Sequence, residues 1–374
     1  MPLKRIDIHN FRNLTRVSFR PVHGFNIIVG CNGSGKSSLL EAVYALGSGK
    51  SFRVTQVKPL VQFTADRFLL YGEVQRKDGQ HSLGLEKRLN GEGSVVIDGS
   101  RATTTSELAL LLPIQHVGLD DFQLFEGGPR IRRRFIDWGV FHVEHGKNSA
   151  LFRRFERAIK QRNSGLRSVK ISGGERDAWD SEFLRCATSL DDARQAYLDR
   201  LMAAYRDLCA RFGDVPYANQ LMIHYSPGWD QKLTLKEALQ RPGSMERERK
   251  TGITQAGPHR ADLRMVIEGI PARDILSRGQ MKVLGHLLKL AQIRVLANQH
   301  NDQLPVILLD DLVAELDERN VNKLLNTVRE FSAQVFLTVL DTKQLPSQQH
   351  WLGEAEIKLF HVEQGQLTEQ PFQE

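Results

Sequence analysis

Hydrophobic and polar positions change period several times along this chain. Residues 5–9 and 16–19 alternate and 25–29 are continuously apolar, which reads as two half-buried strands and one strand covered on both faces. A glycine-rich turn follows, and apolar residues then recur at helical spacing over 36–46. From 68 to 97 the alternation returns, with turn signals at Lys77-Asp78-Gly79 and Asn90-Gly91, so an antiparallel meander is expected. Gly127-Gly128-Pro129 is the next punctuation, and Pro129 suits the first position of a helix. From there to about residue 247 the chain reads as mostly helical, broken at Ser172-Gly173-Gly174. Phe183, Leu184, Leu190, Tyr197, Leu198, Leu201 and Leu208 supply an apolar stripe along 177–212. Strand character returns at 263–267 and a helix follows Gly279. A strand at 306–309, a helix near 320–331 and a strand at 335–340 complete the pattern.

The chemistry sits at the junctions between these elements. Gly30-Cys31-Asn32-Gly33-Ser34-Gly35-Lys36-Ser37 satisfies G-x-x-x-x-G-K-[ST] between a predicted strand and a predicted helix. Backbone N–H groups of Gly30, Asn32, Gly33, Ser34 and Gly35 can wrap phosphates there, and the helix N-terminus adds positive partial charge. Lys36 is assigned to the β- and γ-phosphates, Ser37 to Mg²⁺ and Ser38 to the α-phosphate. Gly47-Ser48-Gly49-Lys50-Ser51 imitates the motif, but Tyr44 replaces its first glycine and the segment ends a helix, so it reads as a helix stop. Leu308-Leu309-Asp310-Asp311 ends an apolar strand with two acids. Asp310 is expected in the Mg²⁺ shell and Asp311 at the attacking water.

Ser277-Arg278-Gly279-Gln280 opens a helix, where Ser277 and Gly279 would leave N–H groups pointing outward at an anion. With a complete phosphate loop elsewhere in the chain, this turn is expected to finish a nucleotide site on a second molecule. Gln115, after the apolar stretch 111–114, is placed either on Mg²⁺ and the nucleotide or on the surface. Arg12 in Asn10-Phe11-Arg12-Asn13 is likewise divided between the nucleotide and the surface. Asp317 lies one loop past the acids, where it could communicate across an interface.

The phosphate loop and the acid-ended strand must meet, yet the helical middle separates them. The chain is therefore read as one discontinuous nucleotide-binding domain, 1–128 plus 249–374, with an inserted, mainly helical domain at 129–248. Its length of 374 residues and 41% apolar content suit two domains. The net charge of +7 favours a polyanion such as nucleic acid, although it also suits any basic soluble protein. Cys31, Cys186 and Cys209 have neither metal-site nor disulfide-framework spacing, which fits a reducing cytosol. The N-terminus carries Lys4, Arg5 and Asp7 with no apolar run behind them, so no signal peptide is expected. Apolar runs such as Ile307-Leu308-Leu309 fall far short of a membrane span, so transport would need a separate membrane subunit.

Taken together, these residues resemble the RecF family of bacterial recombination-mediator ATPases, which are ABC-type ATPases close to the heads of SMC proteins. The resemblance is carried by Asn10-Phe11-Arg12-Asn13-Leu14, the phosphate loop and Gly49-Lys50-Ser51-Phe52-Arg53. It continues through Gly127-Gly128-Pro129 with Arg132-Arg133-Arg134-Phe135-Ile136-Asp137-Trp138, and through Gly257-Pro258-His259-Arg260-Ala261-Asp262-Leu263. Residues 276–280 and 309–317 complete it. It implies an α/β fold: an ABC-type, SMC-head-like ATPase lobe of mixed sheet and helices, with an inserted helical lobe. It also implies an ATP-dependent homodimer in which Lys36 and Asp310 of one subunit meet Ser277 of the other. Weak DNA-dependent ATPase activity, binding to double-stranded DNA and ss/ds gap junctions, and help from RecR and RecO in loading RecA are implied as well. So is a cytoplasmic, nucleoid-associated place in DNA repair, replication, recombination and the SOS response.

One departure is the absence of the switch histidine found in transporter-type relatives. Residues 335–341 hold none, which leaves Thr338, Asp341 or no residue to sense the γ-phosphate. The base is also an aspartate rather than the usual glutamate, and slow hydrolysis is expected from both features.

Arg130, Arg132, Arg133, Arg134, Lys147, Arg153, Arg154, Arg157, Lys160, Arg162, Arg167, Lys170 and Arg176 fall close together with few acids between them. Arg153, Arg154, Arg157 and Lys160 have helical spacing, so part of the set would share a face suited to duplex phosphates. Salt bridges to Asp137, Glu144 and Glu156 are the other outcome, and Arg133 and Arg134 could instead pack beside Trp138. An SMC-type chromosome organiser would need a long heptad arm, for which the insertion is too short. The missing histidine and the basic face argue against a transporter subunit. No spare cluster of carboxylates or histidines supports a nuclease.

Overall fold

The computed structural model describes residues 3–144, 147–167, 173–213, 215–299, 304–312, 316–345 and 355–371. Two compact units are present, one made of 1–121 with 293–374 and the other of 122–292. The second unit extends beyond 129–248 at both ends and takes in the Ser277 turn.

In the first unit the alternating stretches become β1 (Leu3–Phe11), β2 (Leu14–Phe19), β4 (Arg67–Arg76), β5 (Gly79–Arg88), β6 (Gly93–Ile97) and β7 (Ser100–Arg101). They form an antiparallel sheet in the order β2-β1-β4-β5-β6-β7. The continuous apolar runs become β3 (Phe25–Val29), β12 (Val306–Asp310) and β13 (Val335–Val339). They lie inside a second sheet ordered β15-β14-β3-β13-β12-β8, with β8 (Ile114–Gly118), β14 (Ile357–Glu363) and β15 (Gln366–Gln370) around them. From β14 to β8 the pairings are parallel, and strands covered on both faces carry no alternation for that reason. The C-terminal hairpin β14–β15, which the pattern reading left unassigned, turns through Gln364 and Gly365 at φ 49° and 77°. α1 (Lys36–Ser48) ends at Gly49, which adopts the left-handed conformation at φ 67° and confirms the helix stop. One core joins both sheets through Ile8, Phe11, Leu40, Val43, Leu308, Phe336 and Phe360.

In the second unit, α4 (Pro129–Val143), α5 (Lys147–Arg167) and α6 (Gly173–Phe212) pack together, and α3 (Gln123–Glu126), α7 (Leu235–Gln240), α8 (Pro242–Thr251) and α9 (Ala272–Ile275) are shorter. Pro129 does occupy the first helical turn of α4. The middle is less uniformly helical than its pattern suggested. A three-stranded sheet, β11-β10-β9, joins β9 (Leu221–Ser226), β10 (Asp262–Ile267) and β11 (Ile270–Pro271). β9 is only six residues long and alternates on one face, so it is hidden among the surrounding helical signals.

Candidate nucleotide-binding site

β3 ends at Val29 and the chain turns through 30–35 into α1, as the strand–loop–helix reading requires. Gly30 is demanded by close approach: a Cβ there would stand 2.3 Å from the Val362 carbonyl oxygen. Gly35 is demanded by its backbone, at φ 125°. Asn13 ties the loop down, its Nδ2 donating to Ser34 O at 3.1 Å and Gly33 O at 3.3 Å. Lys36 is 4% exposed and its Nζ donates to Gly30 O at 2.7 Å and Cys31 O at 3.2 Å. Those are weak partners for a cation, and phosphate oxygens would replace them readily.

Asp310 arrives on β12, two strands from β3 across β13. Ser37 Oγ donates to Asp310 Oδ1 at 3.1 Å, so the sequence-distant hydroxyl and carboxylate do meet. Thr338 on β13 joins them. Its fully buried hydroxyl donates to Asp310 Oδ1 at 2.9 Å and accepts from Asp311 N at 2.8 Å. Asp311 itself is held at φ 52°. Burial, reinforced by the neighbouring charge of Asp311, raises the Asp310 carboxyl above the usual carboxylate range. Thr338 therefore orients the acids. Asp341, the other candidate sensor, is exposed and accepts from Lys343 N at 3.0 Å in a local turn.

The donor set fits Mg²⁺. Cis oxygens of an octahedral shell with bonds of about 2.1 Å lie about 3 Å apart, close to the Ser37–Asp310 spacing. The cleft in front of the loop has a volume of about 570 Å³ and is bounded by Asn32, Gly33, Gly35, Lys36, Ser37, Ser38 and Asp311. Arg12, Asn13, Arg53, Pro59 and Val61 form its remaining walls.

Arg12 does reach this cleft, but its guanidinium is held by Glu41 in a two-point ion pair with both distances at 2.8 Å. Gln115 does not reach it. The stretch 106–111 is a short helix, α2 (Ser106–Leu111), and β8 continues three residues past Gln115 to Gly118. Gln115 faces Ile307 while Gly118 faces Asp310, which puts Gln115 about 10 Å down the strand from the acids. Gln115 is a buried residue within the sheet and is not among the residues that bound the cleft.

Ser277 caps α10 (Arg278–Gln299) in the second unit. Gln280 N donates to Ser277 Oγ at 3.3 Å, and Ser277 N donates to Gln280 Oε1 at 2.8 Å. Ser277 and Gly279 are both exposed, and a Cβ on Gly279 would meet nothing within 4 Å. Asp317 caps α11 (Glu318–Glu330), accepting from Asn320 N at 2.8 Å, while Ala314 and Glu315 lie outside the described residues.

The basic set divides. Arg132 makes a two-point pair with Asp262 at 2.7 and 2.9 Å, and Arg133 donates to Ala261 O at 2.7 Å. Arg162, 6% exposed, bonds Glu248, Asp180 and Thr254. Asp137 is taken by Arg194, which also donates to Pro258 O at 2.7 Å. The Arg132–Trp138 and Gly257–Leu263 segments are thus partners of each other in the second unit. Arg132, Arg133 and Arg162 are thus engaged within the second unit, by Asp262, the Ala261 carbonyl and Glu248 with Asp180. Arg130, Arg134, Arg153, Arg157 and Lys160 remain exposed, as does Arg154, which pairs with Glu182 at 3.1 Å; Lys170 lies outside the described residues.

Sequence reading missed Asn13, Glu41 and Arg53 as site residues. Each is a lone polar residue with no spacing signature of its own.

A phosphate loop, an acid-ended parallel strand two places away and a capped serine-glycine turn define a P-loop ATPase of the ABC type. The RecF/RecN/SMC N terminal domain family matches residues 2–368. "DNA replication and repair protein RecF" of Pseudomonas fluorescens is 38% identical over 370 residues, covering 99% of this chain and 98% of that protein. Its Pseudomonas putida counterpart is 39% identical with the same coverage. The solved structure of the recombination mediator protein RecF with ATP superposes with a TM-score of 0.83 at 25% identity, covering 99% and 97% of the two chains. The Smc head domain from Pyrococcus furiosus shares the fold at a TM-score of 0.54 and 17% identity, covering 98% and 96%. The chain belongs to this family, in its RecF branch.

Proposed function

We propose that this protein is an ATP-controlled DNA-binding switch of recombinational repair. The observation that carries the reading is the convergence of Lys36, Ser37 and Asp311 on one open cleft, with Asp310 bonded to Ser37 and Thr338 holding the acids. Lys36 would hold the β- and γ-phosphates, and the loop N–H groups and Ser38 the remaining phosphate oxygens. Ser37 and Asp310 would hold Mg²⁺, which when bound supplies charge neutralisation at the phosphates. Asp311 would orient the attacking water. Its backbone is pinned and its side chain short, so turnover should be slow; tens per second, ordinary for enzymes, would contradict this.

Gly279 supports a shared site. The position is exposed and open, so the turn can face something approaching from outside, such as the nucleotide of a second copy. ATP would then act by binding the closed dimer better than the separated subunits. DNA would be held without base reading by the exposed cations of α4 and α5, on duplex or ss/ds junctions. By analogy with the recombination mediator RecF of the RecFOR pathway, the cytoplasmic, nucleoid-associated protein would act with RecR and RecO in loading RecA and in replication restart. An SMC-type organiser is disfavoured, because α6 at 40 residues spans only about 60 Å.

Sedimentation with and without ATP, Mg²⁺ and duplex DNA tests the switch, beside Lys36→Met and Ser277→Arg. Wild type should dimerise only with ATP, and both variants should stay monomeric. A wild type that dimerises equally well without nucleotide, or never, would remove the shared-site reading.

A further inference from the structure

Glu41 has no exposed surface and lies just over one turn past Lys36 on α1. None of the phosphate chemistry above uses it. Its oxygens accept Arg12 Nε and Nη2, both at 2.8 Å, and Oε1 also accepts the Ser51 hydroxyl. Ser51 Oγ in turn accepts Arg53 N and Val54 N, each at 2.9 Å. One buried carboxylate thus anchors both segments that bring an arginine to the cleft wall.

The two arginines differ in charge state. Arg12 is neutralised by Glu41, sits beside the Asn13 that ties down the phosphate loop, and holds an uncommon φ of 55°. Arg53 has no ion-pair partner among the described residues and lines the cleft together with Ser37 and Asp311. A buried carboxylate is tolerated only when its charge is matched and its lone pairs are filled, and loss of Glu41 itself releases both Arg12 and Ser51.

We propose that Glu41 is a positioning residue for nucleotide binding. It fixes Arg12 as a neutralised donor beside the phosphate loop, and through Ser51 it fixes the turn that presents Arg53 as the free cation on the cleft wall. The proposal rests on the ATP reading above. Because Lys36, Glu41 and Ser37 share one helix, the loop, both arginines and the metal hydroxyl take their positions from a single rigid element.

Equilibrium titration with ADP and with a non-hydrolysable ATP analogue tests this on wild type, Glu41→Gln, Arg12→Gln, the double variant, Ser51→Ala and Lys36→Ala. Glu41→Gln and Arg12→Gln should each lose about tenfold in affinity for both nucleotides, the worth of one charge-assisted hydrogen bond, and the double variant no more than the larger single loss. Ser51→Ala should lose about threefold for the ATP analogue and less for ADP, since only the Arg53 turn loosens. Additive losses, or a Glu41→Gln protein that melts earlier yet binds as wild type does, would overturn the proposal. Should Glu41→Gln fail to fold, Ser51→Ala decides, and wild-type affinity for both nucleotides then overturns it. A wild type that binds no better than Lys36→Ala would instead remove the ATP reading itself.

Discussion

Thr338→Val tests the carboxylate geometry with the smallest change of shape. Valine puts a methyl where the hydroxyl was, at a site with no exposed surface, so volume is kept while two hydrogen bonds go. One is the donation from Asp311 N at 2.8 Å and the other the donation to Asp310 Oδ1 at 2.9 Å. An orphaned buried amide costs about 1–3 kcal/mol, and a hydrogen bond to a charged group is worth about 1.5–3 kcal/mol. The terms overlap, and the new methyl regains some apolar burial, so about 3 kcal/mol is the working figure. If all of it falls on the step that needs both acids in register, hydrolysis slows by about 150-fold. If all of it falls on the folded state, the melting temperature drops by about 6–12 °C for a unit of this size. Steady-state phosphate release across ATP concentrations, with thermal melts and Thr338→Ser alongside, separates the two. Thr338→Val should lower kcat at least about tenfold while KM moves less than about threefold, and Thr338→Ser should keep both near wild type. Wild-type kcat in the valine variant, or a loss confined to KM, would refute the claim that this hydroxyl holds the acids.

Glu248→Ala should destabilise the second unit by about 1.5–3 kcal/mol in urea titration, because it leaves the buried Arg162 with only the more exposed Asp180 as a carboxylate partner. Gly139→Ala should cost about 1–3 kcal/mol or prevent folding, since its Cβ would lie 1.9 Å from Tyr197 Cζ; a Gly139→Ala/Tyr197→Leu variant should regain part of the loss. Burial lowers the His259 pKa below its ordinary 6.5, so its neutral form favours the fold. That contribution is complete above 6.5 and fades as pH falls through the folded value, so His259→Gln should flatten the dependence of the melting temperature on pH below 6.5; an unchanged slope counts against it. Arg153→Glu with Arg157→Glu should weaken duplex binding and reduce the slope of log affinity against log salt by about 2, with ATP binding unchanged.

Much of the fold was legible because local periodicity and burial agree. Continuous apolar runs became the strands β3, β12 and β13, and the glycine spacing of the phosphate loop allowed one backbone path. Where a residue's environment comes from distant segments, the pattern misled. Gln115 looked like a strand end, and the sheet register with Ile307 showed it to be the middle of one. Arg132, Arg133 and Arg162 stand in a basic run of the sequence, and only the fold shows Asp262, Ala261 and Glu248 engaging them.

By itself the sequence determined the phosphate loop, the pair of acids and the serine-glycine turn, since each is a local constraint on backbone or charge that spacing can display. The pairing of Ser37 with Asp310, the Thr338 strap across both acids and the Glu41 anchor behind Arg12 and Ser51 were decided only by tertiary structure. Each joins groups 10 to 273 residues apart, and a hydrogen bond across such a separation has no signature along the chain, because its direction is set by how strands and helices pack.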